Sequence, residues 1–186
     1  FWGTLGIVYN SKLVDKAPEH WDDLWRPEYE NSIMLIDGAR EVMGLGLNSL
    51  GYGLNDKNAD HLQEAVDKLY KLTPNIKAIV ADEMKGYMIQ NNAAIGVTFS
   101  GEARQMLEKN EDLRYVVPSE ASNLWFDNIV IPKTVKNKKA AYQFINFMLR
   151  PENAYKNALY VGYATPIPKA KALLPKEVQD DEAFYP

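Results

Sequence analysis

Short apolar stretches rich in Val, Ile and aromatic residues recur at Leu5–Tyr9, Ile33–Ile36, Ile76–Val80, Ala94–Phe99, Leu113–Val117 and Leu124–Ile131, mostly separated by segments with helical spacing. Strands that alternate with helices bury their faces against those helices, so the pattern predicts an α/β fold. The clearest helix lies between Asn58 and Thr73, where Leu62, Ala65, Val66, Leu69 and Leu72 share one side and Pro74 follows the end. Glu64 with Lys68 and Asp67 with Lys71 stand at the i,i+4 spacing of supporting ion pairs. A second helix is expected from about Asn137 to Arg150, with Ala141, Phe144, Ile145, Met148 and Leu149 on one face, and Pro151 opens a third towards Tyr160. Pro132-Lys133-Thr134 marks a break between the alternating and helical parts, and the polar stretch Pro175–Pro186 reads as peripheral.

Several function classes fall away on residue content. The chain has no cysteine, which removes thiol nucleophiles, thiolate metal sites and disulfides. Its 21 Lys and Arg are mixed with 25 Asp and Glu for a net charge of -4, so no basic stripe is available to neutralise nucleic-acid phosphates. No apolar run reaches the length of a membrane span. The sequence starts without Met and in strand-like material, and reads as an excised fragment. His20 and His61 have no acid or nucleophile at a motif spacing, which predicts surface or packing roles. Gly44, Gly46 and Gly51 are spaced wrongly for a dinucleotide fingerprint, and Ser100 has Thr98 where a nucleophile elbow needs Gly. No catalytic residue, cofactor or metal is expected.

What remains is a set of acids and aromatics near strand ends: Asp37, Glu41, Phe99, the triplet Trp125-Phe126-Asp127, and Tyr163. Asp37 and Ser100 each follow a strand and precede a helix, and both read as N-caps. Such turns at the carboxyl ends of strands are where α/β sheets take their ligands. Carboxylates hold ammonium groups, while aromatic faces attract positive charge and cover the methylenes between, so the set suits a flexible organic cation. Each residue also has a plainer reading. Asp37 serves as a cap, Glu41 as a favourable charge in a first helical turn, Phe99 as core, and Tyr163 as packing beneath a proline-rich turn. Trp125 and Asp127 alternate with Phe126, which puts the Trp and the acid on one face of a strand.

Several strings taken in order resemble the spermidine/putrescine-binding proteins of ABC importers. They are Trp21-Asp22-Asp23-Leu24-Trp25-Arg26-Pro27-Glu28-Tyr29, Ile36-Asp37-Gly38-Ala39-Arg40-Glu41-Val42, Trp125-Phe126-Asp127, Phe144-Ile145-Asn146-Phe147-Met148-Leu149-Arg150-Pro151 and Gly162-Tyr163-Ala164-Thr165-Pro166. The resemblance implies a periplasmic-binding-protein-like lobe of type II with a mixed, mostly parallel sheet flanked by helices. It implies that residues 1–122 form the second of two lobes and that 123–186 cross the hinge and return towards the first. The ligand would be spermidine or putrescine, with Glu41 and Asp127 as ammonium partners, Trp125 and Tyr163 as walls, and Asp37 and Phe99 beside them. The protein would be an extracytoplasmic monomer, periplasmic or lipid-anchored, that serves a membrane permease. The tryptophan-rich first string looks structural. Gly38 stands where such proteins often carry an acid, and Phe99 where they often carry Trp. Two alternatives stay open at this point. One is the same scaffold with another solute, for which Arg40 is the one anion anchor; the other is a glycoside hydrolase built on Asp37, Glu41 and Asp127.

Overall fold

A computed structural model describes residues 1–181 and 183–185. The chain divides into two compact units, Thr4–Asn123 and Phe1–Gly3 with Leu124–Pro186. In the larger unit the elements run β1 (Trp2–Asn10, whose first residues belong to the smaller unit), β2 (Ile33–Ile36), α1 (Ala39–Ser49), α2 (Ala59–Leu72), β3 (Ile76–Val80), α3 (Glu83–Ile89), β4 (Ile95–Phe99), α4 (Ser100–Leu107) and β5 (Leu113–Val116). The sheet order is β3-β2-β4-β1-β5. Pairing is parallel between β3, β2 and β4, and β1 runs antiparallel to both β4 and β5. The sheet is therefore mixed as expected, but parallel pairing is confined to the three strands joined by α1, α2 and α3. β1, between β4 and β5, runs in the opposite direction to both.

The core of this unit gathers Leu5, Ile7, Ile33, Leu35, Ile95 and Val97 from the strands with Leu45 and Leu72 from the helices. Asn58 caps α2, its side chain accepting the Asp60 N–H. The two ion pairs expected along α2 are replaced by other contacts. Lys68 bonds Asp22 and the Ser49 carbonyl and lies over the Trp25 ring, Glu64 accepts the Tyr52 hydroxyl, and Asp67 accepts from Gln63. For Glu64 and Lys68 the partners lie on other elements held by the fold and displace the weak pair a solvated helix would form, whereas the Gln63 partner of Asp67 is on α2 itself.

The tryptophan-rich string is structural, as expected. Trp21 and Leu24 are fully buried, the Trp21 indole N–H donates to the Ala121 carbonyl at 2.8 Å, and that of Trp25 donates to the Lys68 carbonyl at 2.9 Å. Asp23 accepts the Glu19 and His20 backbone N–H groups at 2.7 and 3.0 Å and pairs with Arg26. Burial opposes ionisation of Asp23, but those backbone donors and Arg26 outweigh it and hold the carboxyl below its ordinary value of 3.8.

The smaller unit holds β6 (Leu124–Phe126), α5 (Lys138–Met148), α6 (Pro151–Val161), α7 (Pro168–Lys171) and α8 (Lys176–Gln179). The stretch expected as one strand to Ile131 ends at Phe126, and Asn128–Pro132 lie in no regular element. Pro175–Pro186 is less peripheral than its polarity implies. Glu182 and Pro186 are outside the described residues, but Val178 packs with Ala158 and Leu174, Phe184 is buried, and the Tyr185 ring meets Trp2 edge-on at 5.7 Å. Amphipathic α5 buries none of its residues within its unit and exposes Phe144 and Phe147.

Two measurements check this account. Trp21→Phe keeps most of the apolar volume but leaves the Ala121 carbonyl unpaired, and urea denaturation should show a loss of about 1–3 kcal/mol. Because the Asp23 carboxyl titrates lower in the folded chain than in the unfolded one, its stabilisation is complete above pH 3.8 and disappears as pH falls through the folded value. Asp23→Asn should therefore lower stability at neutral pH and make acid unfolding less steep in that range.

Candidate functional site

The register of β2 against β4 builds the first part of the site. Leu35 lies opposite Val97, so two residues on Asp37 and Phe99 leave neighbouring strands at the same end of the sheet, where α1 and α4 begin. Neither Asp37 nor Ser100 is an N-cap. The Asp37 N–H continues the ladder to the Val80 carbonyl at 2.9 Å, which delays the helix by one residue and makes Gly38 the cap. Phe99 caps α4, while Ser100 is buried in its first turn with its hydroxyl accepting the Thr4 N–H at 3.3 Å. That bond accounts for Ser100 structurally.

Asp37 is exposed, and its carboxylate has no hydrogen-bond or ionic partner among the described residues. Glu41 sits in the first turn of α1, half-buried, with its carboxylate folded back against Gly38 and likewise without a partner among the described residues. Phe99 is half-buried against the core, so part of its ring does serve packing. Arg40 points elsewhere, donating to Asn55 at 2.8 Å. The anion-binding alternative thus finds its one candidate cation already engaged.

In the smaller unit the start of the chain acts as a spacer between two strings. Trp2 and Ala164 exchange backbone hydrogen bonds at 3.0 and 3.2 Å, and the Asp127 N–H donates to the Phe1 carbonyl at 2.9 Å. Gly162 ends α6 in the left-handed region at φ 79°, which glycine reaches without strain, and so delivers Tyr163 to this ribbon. The Trp125 and Tyr163 rings then meet edge to face, 4.9 Å apart at 83°. Phe126 turns to Trp2 instead, 6.4 Å between centroids. Asp127 falls just past the strand, exposed, with no partner for its carboxylate among the described residues. Sequence reading selected Trp125, Asp127 and Tyr163 but missed the part played by Phe1–Gly3. The exposed backbone edge that such strand-like material brings was the available signal.

Both histidines find acids that motif spacing does not reveal. His20 Nδ1 lies 2.9 Å from the Ser119 hydroxyl and 3.4 Å from Glu120, while His61 bonds Asp56 at 2.8 Å and stacks on Tyr52 at 3.9 Å. The Asn58 backbone N–H, then His61, holds the Asp56 carboxyl below its ordinary value. These contacts tie loops to the body of the unit. No group of three or more His, Asp or Glu side chains able to hold a metal occurs among the described residues. No described helix is long and apolar enough to cross a membrane.

Residues 2–186 match the family described as bacterial extracellular solute-binding protein. The spermidine/putrescine-binding periplasmic protein of Salmonella typhimurium is 38% identical over 186 residues, all of this chain and 53% of the relative, and that of Escherichia coli K12 is 37% identical with the same coverage. A solved structure of the spermidine/putrescine ABC transporter substrate-binding protein PotD from Streptococcus pneumoniae, in complex with calcium and HEPES, superposes with a TM-score of 0.92 at 78% identity. It is matched over all of this chain and 58% of its own. The Tp0655 (TpPotD) lipoprotein of Treponema pallidum gives a TM-score of 0.79 at 27% identity, over 85% of this chain and 51% of its own. The chain spans about half the length of the curated relatives it matches.

Since neither Glu41 nor Asp127 is held by another described side chain, their charges contribute little to folding. Glu41→Gln and Asp127→Asn should each leave the unfolding free energy within about 0.5 kcal/mol of the parent, measured by denaturant titration.

Proposed function

The chain belongs to the family of bacterial extracellular solute-binding proteins, and on that premise we propose that it is part of an extracytoplasmic receptor that captures a polyamine, spermidine or putrescine, for an ABC-type permease. The observation that carries this reading is Glu41, a half-buried residue at the mouth of parallel strands whose carboxylate has no partner among the described residues. A charge left in that state gains most from a ligand that brings its own positive hydrogen-bond donors. Asp127, one residue beyond β6, offers a second acid beside the paired Trp125 and Tyr163 rings. The names of the Salmonella and Escherichia coli relatives support the same ligand class.

In this reading Glu41 and Asp127 bind ammonium groups, Asp37 adds a peripheral charge, and Trp125, Tyr163 and Phe99 cover the methylenes. Residues up to about 122 form one lobe, and 123 onward cross a hinge to a lobe that further sequence completes. The exposed Phe144 and Phe147 of α5 are consistent with a helix that packs on such sequence. The function is capture and delivery by a monomer, with no chemical step.

Calorimetry on the full product of the gene should show Glu41→Gln and Asp127→Asn each weakening spermidine or putrescine binding about tenfold or more, the value of one charge-assisted hydrogen bond at about 1.5–3 kcal/mol. Undiminished affinity in both would refute the assignment. The 186-residue chain alone should bind far more weakly, because acids in a half-built cage stay hydrated; micromolar binding by it would count against the two-lobe reading.

A further inference from the structure

Resting on the polyamine reading, we propose that Gly38 is a positioning residue for the ligand-binding carboxylate of Glu41: the missing side chain at 38 is the space that Glu41 uses. Gly38 caps α1 with φ −152° and ψ 107°, an extended conformation open to any residue, so the backbone does not require glycine here. Space does. A Cβ built on Gly38 would collide with the Glu41 Oε2 atom and lie 3.1 Å from its Cδ.

The fold-back is not a capping box. In that motif an acid at this helical position accepts the N–H of the capping residue. The Gly38 N–H instead donates to the Ile36 carbonyl at 2.9 Å, and the Gly38 carbonyl accepts from Val42 at 2.9 Å. The carboxylate therefore rests against Gly38 because the volume is open and because the positive end of α1 favours a negative charge there. It is held over Gly38, just past the end of β2. A Cβ at 38 displaces the carboxylate from the place it takes in this chain, and Glu41 can yield because its end is flexible. The result of such a substitution is a folded protein with a displaced charge.

A double-mutant cycle tests this in the full product of the gene, with spermidine and putrescine as probes in calorimetry and the melting temperature recorded for each variant. Gly38→Ala should weaken binding about tenfold with an unchanged melting temperature, and should add less than about twofold when Glu41→Gln is already present. If Gly38→Ala leaves affinity intact while Glu41→Gln weakens it, the inference is overturned and the polyamine reading survives. Equal losses in both backgrounds would also overturn it, since the effect would then not pass through Glu41. A Glu41→Gln variant that binds normally overturns both. Should Gly38→Ala fail to fold, Gly38→Ser serves in the same cycle. The Glu41 carboxyl carbon resonance, read by NMR without ligand, should shift on substitution at 38, and an unmoved resonance would sink the proposal.

Discussion

Parallel pairing of β2 with β4 fixes where everything at the mouth of the larger unit can stand. Ile33 lies opposite Ile95 and Leu35 opposite Val97, and Met34 and Gly96 between them are buried too, so the register is held by packing on both faces of the sheet. A slip of one residue would exchange the side chains of two differently packed buried faces, and a slip of two would carry Phe99 about 7 Å along the strand from Asp37. The helix starts follow from the same constraint. Asp37 still belongs to the ladder through Val80, so α1 begins after Gly38, and Glu41 comes to rest over that glycine instead of facing solvent one position further round.

The chain uses its acids in two opposed ways, and the difference is visible in their partners. Asp23 is surrounded by two backbone donors and Arg26, and its lowered pKa is the thermodynamic record of that arrangement. Its charge is satisfied before any ligand arrives. Glu41, Asp37 and Asp127 have none of this among the described residues. Leaving a half-buried carboxylate unpaired forgoes stabilisation that a capping residue or a nearby lysine would supply. A fold keeps that arrangement without difficulty when the charge stays in contact with water until a cation replaces it.

Local pattern made α2 and β2 legible from sequence, because helical spacing, the Asn58 cap and a four-residue apolar run depend on nothing distant. What escaped depends on distant residues. Whether Asp37 caps a helix is decided by a carbonyl at Val80, and the Glu64–Lys68 pair of α2 is lost to Asp22, Ser49 and Tyr52. The end of β6 at Phe126 also depends on a distant partner, the segment at Phe1–Trp2 whose Phe1 carbonyl accepts the Asp127 N–H. Among the site residues, Trp125 and Asp127 were legible from alternation. Glu41 and Tyr163 were picked out with them as an acid and an aromatic near strand ends, but only the resemblance gave them a role, since an acid in a first helical turn and a Tyr after a glycine are unremarkable in isolation.

The aromatic pair bears on the kind of cation such a site would prefer. Rings that meet edge to face steady one another without both losing their faces to the contact, and it is the face, with its negative quadrupole, that attracts a cation. Trp125 and Tyr163 therefore combine rigidity with capacity to bind, which limits the entropy lost when a flexible chain of methylenes is laid against them. Phe99 is anchored in the core of the larger unit, and its ring is a weaker face for a cation than an indole. Strong electrostatic recognition then falls to the carboxylates. If Glu41 binds ligand as proposed, a neutral solute would desolvate it without replacing its water, and that asymmetry favours a cation.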